Sequence, residues 1–99
     1  MLNIETTAEN GKVLLALEGR LDTLSSPELE QQLNALLPGC EVLTLDLKKL
    51  DYLSSAGLRV LLSAQKRMNG RGSMIVKNVG EVVMDIFEVT GFNEILTIE

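Results

Sequence analysis

Two adjacent serines, Ser54 and Ser55, stand where an apolar stretch meets an amphipathic helical pattern. A hydroxyl at such a helix start acts as a cap, as a nucleophile or as an acceptor of phosphate. The 99-residue chain contains no histidine, so the usual general base for a serine nucleophile is missing. The serine pair is therefore either a helix cap or a phosphate acceptor, and residue chemistry alone leaves both interpretations open.

No other group of side chains predicts a catalytic, cofactor or metal site. The close glycine pair Gly70 and Gly72 follows a helical pattern, whereas a phosphate-binding glycine loop precedes its helix. Magnesium binding by Asp22, Asp46 and Asp51 is disfavoured because Asp46 lies within an alternating strand and points towards solvent. We therefore expect no enzyme activity, no cofactor and no metal.

The composition narrows the class of partner. A net charge of −5 and an aromatic content of 3% provide neither the clustered cations nor the stacking surface of a nucleic-acid binder. No apolar run is long enough to span a membrane, and the start of the chain lacks a secretory signal. Cys40 follows a Pro38-Gly39 turn, and a single free thiol fits a reducing compartment. We expect a cytoplasmic protein that binds proteins, without membrane insertion.

Hydrophobic periodicity predicts alternating strands and helices within a single domain, residues 1–99. The Asn10-Gly11 turn between the first two strands predicts a hairpin. The predicted elements are strands at about 2–6, 13–18, 43–47, 73–77 and 95–98, and helices at about 26–37, 55–69 and 79–90.

The starts of the first and third helices carry capping residues. Ser26 as cap with Pro27 as the first helical residue fits best, although Ser25 with Glu28 would form a capping box one residue earlier. Asn78 is predicted to cap the third helix. The buried face of that helix is predicted to consist of Val82, Val83, Ile86 and Phe87. An acidic stripe on the same helix is either a solvated face or a docking surface and is formed by Glu81, Asp85 and Glu88.

The element order β-β-α-β-α-β-α-β predicts an α/β fold with a mixed, mostly parallel sheet of four to five strands. Right-handed crossovers between neighbouring strands place about three helices mainly on one face of the sheet. In the third strand Leu43, Leu45 and Leu47 alternate with Thr44 and Asp46, whereas a strand covered on both faces is usually apolar throughout. The second face of the sheet is therefore expected to be less covered.

Several segments resemble blocks of the STAS domain family, which includes bacterial anti-sigma factor antagonists. Residues 45–47 and 50–62 resemble its signature, 17–23 a second block and 89–92 its helix-ending block. The resemblance implies a STAS-like fold and a protein that binds an anti-sigma factor with serine kinase activity. In that family the kinase phosphorylates a serine of the antagonist and releases it, and a serine phosphatase restores binding.

The family pattern places an aspartate before the phosphorylated serine and Ser/Thr-Gly-Leu after it. Aligned on Gly57, the resemblance implies phosphorylation of Ser55, with Ser54, at the aspartate position, as second choice. The resemblance also implies that the 22–23 loop lies beside the serine and contacts the partner. The implied partner-binding residues are Asp22, Thr23, Ser54, Ser55, Ala56, Gly57, Leu58 and Arg59.

Two functions from different classes stay open. The first is an antagonist in a partner-switching pathway that is switched off by phosphorylation at the start of the second helix. The second is a STAS scaffold or assembly module of another bacterial signalling complex, in which the serine pair is only a cap. We expect a monomer. Weak homodimerisation is the alternative, because the sequence stops after the predicted strand at 95–98, where many relatives add another helix, and an edge or face is then more exposed.

Overall fold

The computed structural model describes Met1 to Glu99 as one four-stranded sheet with four helices. The elements are β1 (Leu2–Glu9), β2 (Lys12–Leu21), α1 (Ser26–Leu36), β3 (Val42–Leu53), α2 (Ser55–Met68), β4 (Ser73–Lys77), α3 (Glu81–Thr90) and α4 (Phe92–Ile95). The strands lie in the order β1-β2-β3-β4, with β1 antiparallel to β2 and the other neighbours parallel. The predicted mixed α/β fold is confirmed.

The hairpin between β1 and β2 forms where the sequence predicts it. Asn10 and Gly11 both have positive φ, 51° and 79°. Two such residues make the tight turn whose twist matches that of paired strands. Glu9 and Lys12 are the pair that closes the hairpin.

One face of the sheet packs with the helices into a single core of 24 buried residues. Along β3, Leu43, Leu45 and Leu47 are fully buried, whereas Thr44 and Asp46 are half-buried. The alternation predicted for this strand is confirmed, and the outward-facing residues contribute to the second face of the sheet.

The strand β3 continues beyond Leu47 to Leu53, which the sequence pattern did not predict. The pairing of β2 with β3 shifts between Ala16 and Glu18, so Lys48 and Lys49 are both exposed before Leu50 returns to the core. Such a bulge interrupts the two-residue period that identifies a strand. Because β3 reaches Leu53, the serine pair follows the sheet directly.

Ser26 and Asn78 are not the caps of α1 and α3, whereas Ser25, the alternative for α1, occupies the N-cap position without a side-chain cap bond. The N-cap of α3 is Gly80. Asn78 has a left-handed backbone, with φ of 57°, and its Nδ2 donates to Asp46 Oδ1 at 3.1 Å. Val82, predicted to be buried, is exposed because α3 begins at Glu81 and buries Val83 and Phe87 instead.

The predicted last strand is reduced to one parallel bridge between Val76 and Ile98. Gly91 ends α3 in the left-handed conformation. The short helix α4 follows and extends to Ile95, the first residue of the predicted strand. Val76 N donates to Thr97 O at 2.8 Å, which attaches the end of the chain to β4. None of the helices is long and apolar enough to cross a membrane.

Candidate functional site

Ser54 is the N-cap of α2. Its backbone is extended, with φ of −90° and ψ of 175°, and its Oγ accepts a hydrogen bond from Gly57 N at 3.4 Å. Its carbonyl oxygen accepts from Leu58 N at 2.9 Å. Ser54 therefore supplies the side-chain capping bond that the sequence left unassigned between the two serines.

Ser55 is the first residue of α2, and its side chain is exposed. The first amides of a helix have no partner inside the helix, and the helix dipole places partial positive charge there. The Ser55 hydroxyl therefore lies at an electropositive, accessible helix end without serving as the cap.

The start of α2 is attached to the end of β2. Ser54 N donates to Leu21 O at 2.9 Å, and Gly57 is buried against Leu21 and Leu53. Only a glycine allows so close an approach between a helix and a neighbouring backbone. This contact brings the loop between β2 and α1 beside the serine pair.

Asp22 organises that loop. Its Oδ1 accepts from Leu24 N at 3.0 Å and from Ser25 N at 3.1 Å, and its own amide donates to Ser25 Oγ at 2.9 Å. The Ser25 hydroxyl in turn donates to Arg20 O at 2.7 Å. The hydrogen bond from the Ser25 amide lowers the pKa of Asp22 and outweighs its partial desolvation. Asp22 thus holds the loop in shape as a carboxylate.

Arg20 adds a positive charge beside the loop. Its guanidinium carbon lies 4.4 Å from the ring centroid of Tyr52 on the neighbouring strand. Its Nε lies 3.8 Å from Asp22 Oδ2, with 54% of the arginine side chain exposed. Ion pairs this exposed add little stability, so the Tyr52 ring is the main contact that orients Arg20.

A groove of about 400 Å³ runs between the first turns of α1 and α2, next to the serine pair. Thr23 from the loop contributes to one wall, and Ala56 and Arg59 contribute to the other. Its charged members, Glu30 on α1 and Arg59 on α2, are both exposed. The lining residues are Thr23, Ser26, Pro27, Glu30, Ala56, Arg59, Val60 and Ser63.

The residues predicted to bind a partner divide into three groups by their exposure. Thr23, Ser55 and Arg59 are exposed and available for contact. Gly57 and Leu58 are buried, so they position the helix start and offer little surface of their own. The remaining members, Asp22, Ser54 and Ala56, are half-buried at the same end of the molecule.

Leu24 is the residue at this site that sequence reasoning missed. It follows Thr23 in the loop, and its side chain is 88% exposed. An apolar residue between a strand and a helix is ordinarily expected to join the core, so the sequence offered no signal. Its exposure beside the groove makes the Leu24 side chain accessible at this end of the molecule.

The site brings exposed polar and apolar side chains together around one groove. The chain contains no histidine, and no group of three or more Cys, Asp or Glu side chains is placed to hold a metal ion. A family model described as Mlab, STAS domain, matches residues 4–97. The chain belongs to the STAS domain family.

This STAS domain is similar to bacterial regulators over most of its length. It is 33% identical over 91 residues to BtrV of Bordetella bronchiseptica, a candidate anti-sigma factor antagonist, covering 90% of this chain and 78% of BtrV. It is 26% identical over 98 residues to the anti-sigma-B factor antagonist of Bacillus subtilis, covering 98% of this chain and 90% of that protein.

Solved structures share the fold of this STAS domain. An anti-sigma factor antagonist from Mycobacterium paratuberculosis matches with a TM-score of 0.89 at 20% identity, covering 99% of this chain and 85% of the other. The phosphorylated form of Bacillus SpoIIAA matches with a TM-score of 0.75 at 15% identity, covering 100% and 91% of the two chains. At these identities the similarity establishes the shared fold.

Proposed function

We propose that this STAS domain is an anti-sigma factor antagonist that works in the bacterial cytoplasm. It binds an anti-sigma factor with serine kinase activity, and phosphorylation of Ser55 by that kinase releases it. The observation that supports this role most directly is that the two serines differ in their structural roles. Ser54 caps α2, whereas Ser55 is exposed. A phosphate can therefore be added to Ser55 without loss of the cap.

The proposed binding surface is the end of the molecule that surrounds Ser55. It consists of Ser55, the 22–24 loop and the groove between α1 and α2. Leu24 provides apolar contact area, and Arg59 can pair with an acidic group of the partner. The buried Gly57 and Leu58 hold this surface in place against the core.

The switch is a single phosphoryl transfer. The Ser55 Oγ forms a bond to the γ-phosphorus of ATP, the bond to the β-phosphate bridging oxygen breaks, and ADP leaves. The hydroxyl proton passes to a base of the kinase. A serine phosphatase reverses the change by transferring the phosphoryl group to water.

Phosphate at Ser55 is expected to act on the interface and to leave the fold intact. The free amides and the dipole at the start of α2 favour an anion there. The new group adds about −1.5 to −2 charges to a chain that already carries −5. A partner surface that has closed over a neutral hydroxyl then meets a desolvated charge, and the complex weakens.

The test is phosphorylation by the cognate kinase with ATP, followed by mapping of the modified residue by mass spectrometry. Phosphate is expected on Ser55 in the wild type and in Ser54→Ala, and it should be absent from Ser55→Ala. Ser73→Ala, which removes an exposed serine at the start of β4, is the matched control and should be modified normally. Modification that persists in Ser55→Ala would move the proposed site to another hydroxyl.

The scaffold function makes the opposite prediction. If this STAS domain only assembles a signalling complex, neither Ser54 nor Ser55 receives phosphate. Partner binding, measured by calorimetry, would then be the same with and without ATP. That pair of results would replace the phosphorylation-controlled role with the assembly role.

A further inference from the structure

The second face of the sheet has no packed partner within the chain. Leu14, Val42 and Ile75 lie on this face, are only half-buried, and belong neither to the core nor to the partly buried residues that pack against it. Outward-facing residues of all four strands line two shallow depressions on this face. Apolar residues rimmed by polar ones on an uncovered sheet face are a feature of surfaces that bind another protein.

The strand register arranges this face, which we call the open face, into rows that cross the sheet from β1 to β4. The central row is Thr7, Leu14, Thr44 and Ile75, in which threonines alternate with apolar residues. The adjacent rows are Glu5, Ala16, Asp46 and Lys77 on one side and Glu9, Lys12, Val42 and Ser73 on the other. A fourth row, at the bulge, is Asn3, Glu18 and Lys49.

Charge on the open face is divided between its two halves. The half formed by β1 and β2 carries three acidic residues and one lysine: Glu5, Glu9, Glu18 and Lys12. The half formed by β3 and β4 carries three lysines and one aspartate: Lys48, Lys49, Lys77 and Asp46. Asp46 is already bound by Lys48 N and Asn78 Nδ2. None of these opposite charges forms an ion pair within the chain, whose one salt bridge joins Arg20 to Asp22.

We propose that the open face binds a second copy of this chain through a two-fold axis parallel to the strands. Such an axis lays β1 of one copy over β4 of the other, and β2 over β3, at the same level along the strands. Glu5 of each copy then faces Lys77 of the other, and Glu18 faces Lys49. Each acidic half covers a basic half, while Leu14 and Ile75 of the central row lie over Thr44 and Thr7 of the other copy.

The alternative face-to-face arrangement is unfavourable. A two-fold axis perpendicular to the strands lays β1 over β1 with reversed direction, so Glu5 of one copy approaches Glu9 of the other. Like charges placed opposite each other at an interface oppose association. The division of charge therefore favours a second copy of this chain as the partner, and it favours the two-fold axis that is parallel to the strands.

The size of the open face sets the expected strength of the dimer. Four strands about 4.8 Å apart and three rows deep, together with the shorter fourth row, cover roughly 500 Å² per copy, well below the roughly 800 Å² per partner of a standard interface. The dimer is therefore weak and should appear only at high protein concentration. Because its charge pairs are exposed at the rim, it should also dissociate as salt is raised.

The experiment exchanges the charges of paired residues and measures dimerisation by sedimentation velocity at low salt. Protein concentrations up to about 1 mM are used, because an interface of this small size is expected to be weak. Glu5→Lys and Lys77→Glu should each weaken dimerisation about tenfold. The double variant, Glu5→Lys with Lys77→Glu, restores opposite charges across the axis and should recover most of it. Glu88→Lys is the matched control for Glu5→Lys, because it makes the same change in net charge on the exposed side of α3 and should weaken dimerisation less.

A second double variant tests the register. Glu5→Lys with Lys49→Glu has the same net charge as the restoring variant, but its new charges do not face each other and it should stay impaired. A wild-type chain that remains monomeric at about 1 mM overturns the proposal. If both double variants recovered dimerisation equally, the proposed direction of the two-fold axis would be wrong. These outcomes are independent of phosphorylation at Ser55, since the open face and the serine site share no residue.

Discussion

Gly57 on α2 lies directly against Leu21 at the end of β2. A Cβ built on Gly57 would lie 2.8 Å from Leu21 Cγ and 2.9 Å from the Leu21 carbonyl oxygen. That same oxygen accepts the hydrogen bond from Ser54 N at 2.9 Å. The contact joins the start of α2 to the strand that leads into the Asp22 loop, and it therefore positions Ser55 beside that loop.

Gly57→Ala should lower the free energy of unfolding by about 1–3 kcal/mol, as overpacking in a core does. The Leu21 carbonyl cannot move aside without losing its bond to Ser54. Urea denaturation measures the loss. Gly80→Ser is the control: a Cβ there meets nothing within 4 Å, and serine is a favourable N-cap, so no loss is expected. Equal stability of the Gly57→Ala variant and the wild type would contradict the proposed contact.

The two serines should differ in their effect on stability. Ser54→Ala removes the capping acceptor and should lower the free energy of unfolding by about 0.5–2 kcal/mol. The low end is expected because the bond to Gly57 N is long, at 3.4 Å. Ser55→Ala should change stability by less than about 0.5 kcal/mol, as an exposed residue does. The reverse order in urea titrations would show that Ser55 is the cap.

Ser55→Asp should separate binding from folding. An acidic residue in the first turn of a helix is favoured by about 0.3–1 kcal/mol, so the circular dichroism spectrum and melting temperature should stay nearly unchanged. Binding to the anti-sigma factor, measured by calorimetry, should be strongly weakened by the charge. Ser55→Asn, which has nearly the same shape without the charge, should retain binding. Loss of binding in both variants would point to side-chain size as the cause.

Leu24 should contribute to binding without contributing to stability. Leu24→Ala is expected to weaken partner affinity about fivefold or more, the effect of losing roughly 1 kcal/mol at an apolar contact. Its melting temperature should be unchanged because the side chain is 88% exposed. Val89→Ala is the matched control: Val89 is 87% exposed on α3 outside the groove, so affinity should be unaffected. Equal effects of the two substitutions would remove Leu24 from the interface.

Asp22 should make the stability of the loop depend on pH. Its pKa is lower in the folded chain than the usual value because the Ser25 amide donates to the carboxylate. The ionised carboxylate therefore stabilises the fold above about pH 4, and this contribution is lost as the pH falls through the folded pKa. The difference in urea midpoint between wild type and Asp22→Asn should be larger at neutral pH than at about pH 3. A difference that grows in acid would contradict this role.

Much of the fold follows from local patterns. The Asn10-Gly11 turn, the leucines of β3 and the apolar stripe of α2 each indicate their element within a few residues of sequence. The errors occur where a long-range contact changes the local pattern. The Lys48-Lys49 bulge conceals the end of β3, and the bond from Asn78 to Asp46 keeps Asn78 out of the capping position of α3.

By itself, the sequence determined the class of this protein and the type of chemistry open to it. The absence of histidine excludes a serine nucleophile of the usual kind, and the spacing of Gly57 and Leu58 from the serine pair carries the family resemblance. Only the tertiary structure decided which serine caps α2, because that depends on the extended backbone of Ser54 and its bond to Leu21. The same is true of the groove beside Ser55 and of the charge rows on the open face. Both unite residues that are far apart in the chain: the packing of α1 beside α2 forms the groove, and strand register aligns the charge rows.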